Sequence, residues 1–285
     1  MGRTPLDGYD GPVLDNHFHL DDAGANVAAA AEFQRAGGTH LLLVHKPSWH
    51  EVDRPTLEES YAATIRMAGR LRAELGLVVG VCLGPHPAFV SVLRDRLSLQ
   101  ERRAFLRMGV ELAAQYVQEG EAVAIGEVGR PHYPVPAEEQ ALSEEALLLA
   151  AQRAKEVECP LILHTEEASA QTYAFLAQIA DAAGLPRARM VKHFAGPQVL
   201  PEENLGLLPS VLASRQNVDA AADKSDRFLL ETDYLDDPRR PGAVLGPRSV
   251  PKACARLLAR GWDSERLCRL HLQGINGLYR LPPGR

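Results

Sequence analysis

Cysteine is scarce in this chain: there are four in 285 residues, Cys82, Cys159, Cys254 and Cys268, and no two form a CxxC pair. A disulfide framework or a thiolate-ligated zinc site is therefore not indicated, and cysteines among apolar neighbours read as reduced core residues. No apolar run is long enough to span a membrane. The opening MGRTPLDGYDGP lacks the hydrophobic segment of a signal peptide, and Leu6 stands where a myristoylation signal wants Ser or Thr. Together these absences lead us to expect a cytoplasmic protein. An excess of positive charge is also missing, since the formal net charge is −6. Indiscriminate binding to a polyanion depends on a basic face that releases counterions, so that class is disfavoured, while an enzyme gripping one strand end locally is not. There is no phosphate-binding GxxxxGK[ST] loop, no GxGxxG after a strand and no GxSxG elbow, so neither a nucleotide cofactor nor a serine nucleophile is indicated.

What the chain does contain is a repeated alternation. Short aliphatic or β-branched runs occur at Val13–His19, Leu41–His45, Leu77–Leu83, Ala122–Val128, Leu161–His164, Met190–His193, Leu207–Ala213 and Phe228–Thr232. Between them lie segments with apolar residues at i, i+3 and i+4, clearest over Leu57–Leu75, Leu99–Val117, Ala137–Val157, Ala168–Ala183 and Val250–Leu258. Shorter helices are expected near Pro201–Leu205 and Val218–Ser225, and His271–Arg285 reads as a closing helix with an irregular end. Continuous apolar strands alternating with amphipathic helices imply a parallel sheet covered by helices. Eight such units predict an α/β (β/α)8 TIM barrel spanning 1–285 as a single domain, with an open doubly wound sheet as the alternative.

The stretch LDNHFHL places His17 and His19 two apart, so on a strand they share one face while Phe18 points the other way. Buried imidazoles need partners for their ring nitrogens, and a divalent metal is one such partner. In a barrel of this kind chemistry sits at the C-terminal strand ends. The fourth strand ends near Glu127, the fifth at His164, the sixth at His193 and the eighth at Asp233. Four histidines and two carboxylates round one rim are hard to explain as separately satisfied core residues. Imidazole and carboxylate donors suit zinc, manganese or iron, and their number suits two ions better than one.

These pieces resemble the TatD-type metal-dependent hydrolases, a branch of the amidohydrolase superfamily built on a (β/α)8 barrel. DNHFHL is followed in the same order by GPHP at Gly84–Pro87, GEVG at Gly126–Gly129, LH at Leu163–His164, HFAG at His193–Gly196, ETD at Glu231–Asp233 and an Arg–Pro element at Arg248–Pro251. The resemblance implies two divalent ions, zinc, manganese, magnesium or iron. His17, His19 and Asp233 would hold one, His164 and His193 the other, with Glu127 between them and Asp233 as general base towards the attacking water. His86 would lie near the substrate rather than on a metal.

The chain also departs from the family. The arginine common two residues after the fifth-strand histidine is here Glu166, which would repel a phosphate. The usual Leu-Asp after GEVG is Arg130-Pro131, followed by His132 and Tyr133, and the usual second histidine beyond GPHP is Ala88. Arg130 is a candidate to face an anionic substrate, whereas Arg239 and Arg240 read as a solvated loop pair. His40, His45, His50 and His271 are expected to be structural, and Trp49 and Trp262 to be packing residues.

Two substrate classes follow. Family likeness tips the expectation slightly towards phosphodiesters, a nuclease-like action on a nucleic-acid strand end. Glu166, the acidic net charge and the lack of a basic, aromatic-interleaved stripe favour a small carbonyl substrate, an amide, lactone or aminoacyl ester. A non-catalytic barrel that keeps its metals for stability is a third reading.

Overall fold

Each of the eight apolar runs forms a strand: β1 (Leu14–His19), β2 (His40–Val44), β3 (Val78–Leu83), β4 (Ala124–Gly129), β5 (Leu161–His164), β6 (Met190–Ala195), β7 (Leu208–Leu212) and β8 (Leu229–Glu231). The structure is a computed structural model and describes residue 6 and residues 8–284. Half of the N-terminal stretch read for a targeting signal, residues 1–5 and 7, lies outside the described residues, as does residue 285. A further strand, β9 (Tyr234–Leu235), was not expected. The strands lie in the order β8-β7-β6-β5-β4-β3-β2-β1-β9, and neighbours run parallel. Only Thr232 and Asp233 separate β8 from β9, and there the chain leaves β7 to pair with β1, Phe18 opposite Tyr234 and His19 opposite Leu235. That kink brings both ends of the sheet together and closes a barrel, not an open sheet.

The alternation of side chains along the strands makes two cores. Leu14, Leu42, Val44, Cys82, Ala124, Ile162, Val191, Leu208 and Leu229 point inward and pack with Ile275, Tyr279 and Leu281, which form the barrel floor. Their neighbours along the strands face outward into a larger core beneath the helices. The floor is tied to the rim strand by Tyr279, whose hydroxyl donates to Asn16 Oδ1 at 2.6 Å. Gly274 allows this close approach, because a Cβ there would meet Leu14 Cδ2 at 2.5 Å.

The covering helices are α1 (Val27–Arg35), α2 (Arg54–Leu75), α3 (Phe89–Val92), α4 (Leu99–Gln118), α5 (Ala137–Glu156), α6 (Ala170–Ala183), α7 (Pro201–Asn204), α8 (Arg215–Ala222), α9 (Ser249–Ala259) and α10 (Ser264–Leu272). Cap chemistry sets starts that apolar spacing misplaces. α2 begins three residues before Leu57 because the Asp53 side chain accepts from Thr56 N–H at 3.0 Å and Thr56 reciprocates. The closing helix is displaced in the same way: Asp263 accepts from Arg266 N–H at 2.7 Å, so α10 starts at Ser264. It ends at Leu272 and runs into a wide π turn at Gln273–Leu278, rather than beginning at His271 as expected. Among the described residues no helix is long and apolar enough to cross a membrane.

Candidate metal centre

His17 and His19 are both buried, and their Nε2 atoms meet 3.1 Å apart, as the two-residue strand period dictates. From β4, Glu127 reaches between them and the opposite wall. Its Oε2 lies 3.5 Å from His17 Nε2 and 3.4 Å from His19 Nε2. Its Oε1 lies 2.9 Å from His164 Nδ1 and 3.3 Å from His193 Nε2. Asp233, on the kink after β8, sets Oδ1 3.9 Å from His17 Nε2 and 3.7 Å from His19 Nε2. Asp233 adopts a left-handed backbone with φ of +52°, a conformation uncommon for a residue with a side chain. All six residues expected to bind metal thus converge at one mouth of the barrel.

The donors fall into three overlapping groups: His17, His19 and Glu127; His17, His193 and Asp233; and His86, Glu127 and His164, with the ligand atoms of each group within 4.8 Å of one another. Ligands about 2.0–2.1 Å from an ion in a tetrahedral shell lie roughly 3.3 Å apart, the spacing these donors show. The chemistry fits as well, since imidazoles and carboxylates converge here and the ammonium of the buried Lys192 donates to His193 O at 2.7 Å. Two divalent ions are accommodated by this set, with Glu127 offering one oxygen to each side.

The donors at the centre shift one another's protonation. Burial raises the Glu127 carboxyl, but His17, His164 and His193 outweigh it and hold it well below the usual carboxylate range. Burial opposes charge on His17 too, yet Glu127 prevails and the ring is raised to about 9. Burial, then the neighbouring His17, push His19 down to about 3 and His193 to about 4. Burial lifts Asp233 well above its ordinary value despite His17, with Glu231 and Glu127 adding to the rise.

The outward ring nitrogens of His19, His193 and His164 are held from behind. His19 Nδ1 meets Val44 O at 3.0 Å, and His193 Nδ1 meets the fully buried Glu231 at 3.1 Å. The same Glu231 oxygen accepts from Phe194 N–H at 2.6 Å, fixing the left-handed turn, φ +51°, that follows the histidine. His164 Nε2 lies 2.9 Å from His132 Nδ1. Such partners orient a ligating ring and choose its tautomer. Glu231 and His132 carried no assignment in the sequence reading. Glu231 stands two residues before Asp233, a strand spacing that would have flagged it. His132 lies on an irregular loop, where no periodicity points inward.

His86 sits at the edge of the cluster, its ring centroid 4.4 Å from that of His164. Its Nδ1 accepts from Ala88 N–H at 3.1 Å, so the neutral ring carries its proton on Nε2. Burial keeps that ring neutral, and the nearby His164 adds to the effect. Arg130 turns from the mouth towards the α5 and α6 helices. It pairs with Glu166 through Nη2 and, at 3.2 Å, through Nε, lies 3.3 Å from Glu144, and covers the Phe175 ring at 3.9 Å. Arg239 and Arg240 both bind Asp237, at 3.4 and 2.9 Å, and Arg248 lies 3.9 Å from Glu32. His45 is structural: it sits between β2 and α2, 3.1 Å from Thr64 Oγ1. Trp262 packs as expected, whereas Trp49 is half-exposed and meets His86 and Phe89 only edge-on.

A parallel barrel carrying this donor set at its C-terminal strand ends defines a metal-dependent hydrolase of the amidohydrolase kind. The family model described as TatD related DNase matches residues 14–280, and the chain belongs to that family. It is 35% identical over 272 residues to uncharacterized protein MJ1127 of Methanocaldococcus jannaschii, covering 94% of this chain and 95% of the relative. Among solved structures it resembles YJJV, a TatD homolog from Escherichia coli K12, with a TM-score of 0.63 and 19% identity over 95% of this chain and 98% of that one. A mutant PTE-like lactonase from Deinococcus radiodurans matches with a TM-score of 0.59 and 15% identity over 94% of each chain. Likenesses at these identities establish the shared fold.

Proposed function

We propose that this protein is a two-ion hydrolase of a carbonyl bond, in a lactone, ester or amide. The observation that carries this reading is the pairing of Arg130 with Glu166 and Glu144. A phosphodiester hydrolase needs free cationic groups to take up the charge of its substrate. Here Arg130 is neutralised by carboxylates, and the rim residues Lys46, Arg239, Arg240 and Arg248 each have an acidic partner too. A neutral acyl substrate requires no such clamp. The sequence alone tips slightly towards phosphodiesters; the ion pair moves the balance the other way. The fold is shared with a PTE-like lactonase, in keeping with this substrate class.

His17, His19 and Asp233 would hold one ion, His164 and His193 the other, and Glu127 would serve both. Bound there, the pair supplies a water of lowered pKa and a Lewis-acidic seat for the carbonyl oxygen. Asp233 takes the proton from the attacking water and returns it to the leaving group. His86 Nε2–H donates to a substrate oxygen, placed for this by the Ala88 bond to Nδ1. The buried cluster around them limits bulk water at the reacting atoms.

The test is a panel of γ- and δ-lactones, aryl esters and N-acyl amides beside 3′-labelled single-stranded DNA, using protein loaded in turn with zinc, manganese, magnesium and iron. We expect kcat/KM for at least one carbonyl substrate to exceed that for DNA by orders of magnitude. Turnover confined to DNA would overturn the proposal and restore the nuclease reading that the family description favours.

A further inference from the structure

The second nitrogens of the central histidines do not all rest on the same kind of support. His19 leans on a strand carbonyl and His193 on a buried carboxylate, while His17 Nδ1 is buried without a hydrogen-bond partner. His164 differs from all three, because its Nε2 faces the ring of His132, an exposed residue, at 2.9 Å. With an ion beside Glu127 taking His164 Nδ1, the neutral ring would carry its proton on Nε2 and donate it to His132 Nδ1.

We propose that His132 is the positioning residue for His164 and thereby sets how tightly the ion held by His164 and Glu127 is bound. The inference rests on the two-ion reading of the site. The loop that carries His132 suits this task. Pro131, Pro134 and Pro136 restrict φ through the segment. The Arg130 backbone N–H donates to His164 O at 2.9 Å, which ties the start of the loop to the residue it supports. The Tyr133 hydroxyl meets Ser91 Oγ at 2.7 Å and anchors the next residue to α3. His132 is thus fixed on both sides against a ring 32 positions away in sequence.

The two ion positions therefore differ in kind. The one at His17 and His19 is lined by two buried rings, of which His19 leans on a strand carbonyl. The other depends in part on an imidazole in contact with solvent. The second position is the one that yields first to a chelator, and His132 governs how readily.

The experiment is a competitive titration of the metal-replete full chain with a chromophoric chelator, read as zinc released. Wild type is expected to release two ions in two steps. In His132→Ala the looser step should weaken by about 10–100-fold, the size of effect that outer partners of ligating histidines show, with the tighter step unchanged. His132→Asn, whose side-chain oxygen restores an acceptor, should recover most of the loss. In the cobalt-loaded protein, His132→Ala should change the visible absorption contributed by the looser ion alone. Two steps left unchanged in His132→Ala, or both weakened equally, would overturn this inference while leaving the two-ion reading intact. A wild type that binds a single ion would overturn both.

Discussion

The Asp15 carboxylate accepts two hydrogen bonds from Thr232, from the backbone N–H at 2.9 Å and from the hydroxyl at 2.8 Å. Asp15 lies on β1 and Thr232 just past β8, so this contact clasps the seam where the barrel closes. Thr232 Oγ1 in turn accepts from Tyr234 N–H at 3.1 Å, holding the left-handed turn that aims Asp233 at the centre. Asp15→Ala would leave a buried backbone N–H without an acceptor, so we expect a loss of about 2–3 kcal/mol in urea unfolding of the chelated protein. Asp15→Asn, which retains an acceptor, should lose less. Equal stability of wild type and the alanine variant would show that the seam does not depend on this contact.

Asp233→Asn is expected to lower kcat by about a hundred-fold or more, since a positioned proton acceptor contributes on that scale. Metal content, read by elemental analysis, should fall far less than turnover. Unimpaired activity would remove Asp233 from the role of base. Chelation of wild type should abolish turnover and lower Tm together, whereas a non-catalytic barrel would show the change in Tm alone.

Glu166→Gln should release Arg130 from its strongest partner. We expect turnover of the carbonyl substrate to change by only a few-fold, while inorganic phosphate inhibits about tenfold more tightly, a gain of roughly 1.4 kcal/mol. Unchanged phosphate inhibition would show that Arg130 does not become available to an anion when the pair is broken.

His271 predicts an acid-sensitive fold. Its buried Nδ1 accepts from Leu14 N–H at 3.1 Å, and burial, followed by the nearby His40, lowers its pKa to about 3. The unfolded chain binds this proton near pH 6.5 and the folded chain refuses it until about 3. Stability is therefore flat above about pH 6.5 and falls towards acid, by up to ~1.4 kcal/mol per pH unit for this one group. Urea unfolding of the chelated protein between pH 8 and pH 4.5 should show a shallower decline for His271→Gln than for wild type. Parallel declines would show that His271 does not carry the effect.

Much of the site was legible because its residues end apolar runs. Barrel geometry sends every strand end to one rim, so His17, His19, Glu127, His164, His193 and Asp233 could be collected without contact information. Features set by tertiary contact were not legible in the same way. β9 is two residues long and has no periodicity to read. Of α1, only Phe33 is a large buried apolar residue, too little for a stripe. Arg130 and Glu166 were each read correctly for charge, but their mutual cancellation depends on how the loops after β4 and β5 meet, 36 residues apart. That single contact is what supports the proposed carbonyl substrate over a phosphodiester.

Ile275, Tyr279 and Leu281 give the barrel its floor, and they follow every strand of the barrel in the chain. A chain made as far as Asp233 possesses all six rim side chains, yet the cup beneath them is still bottomless. Leu14, Leu42 and Leu229 then face water instead of a plug. Every rim residue thus precedes the floor in the chain, and the finished vessel depends on a segment made after the mouth it supports.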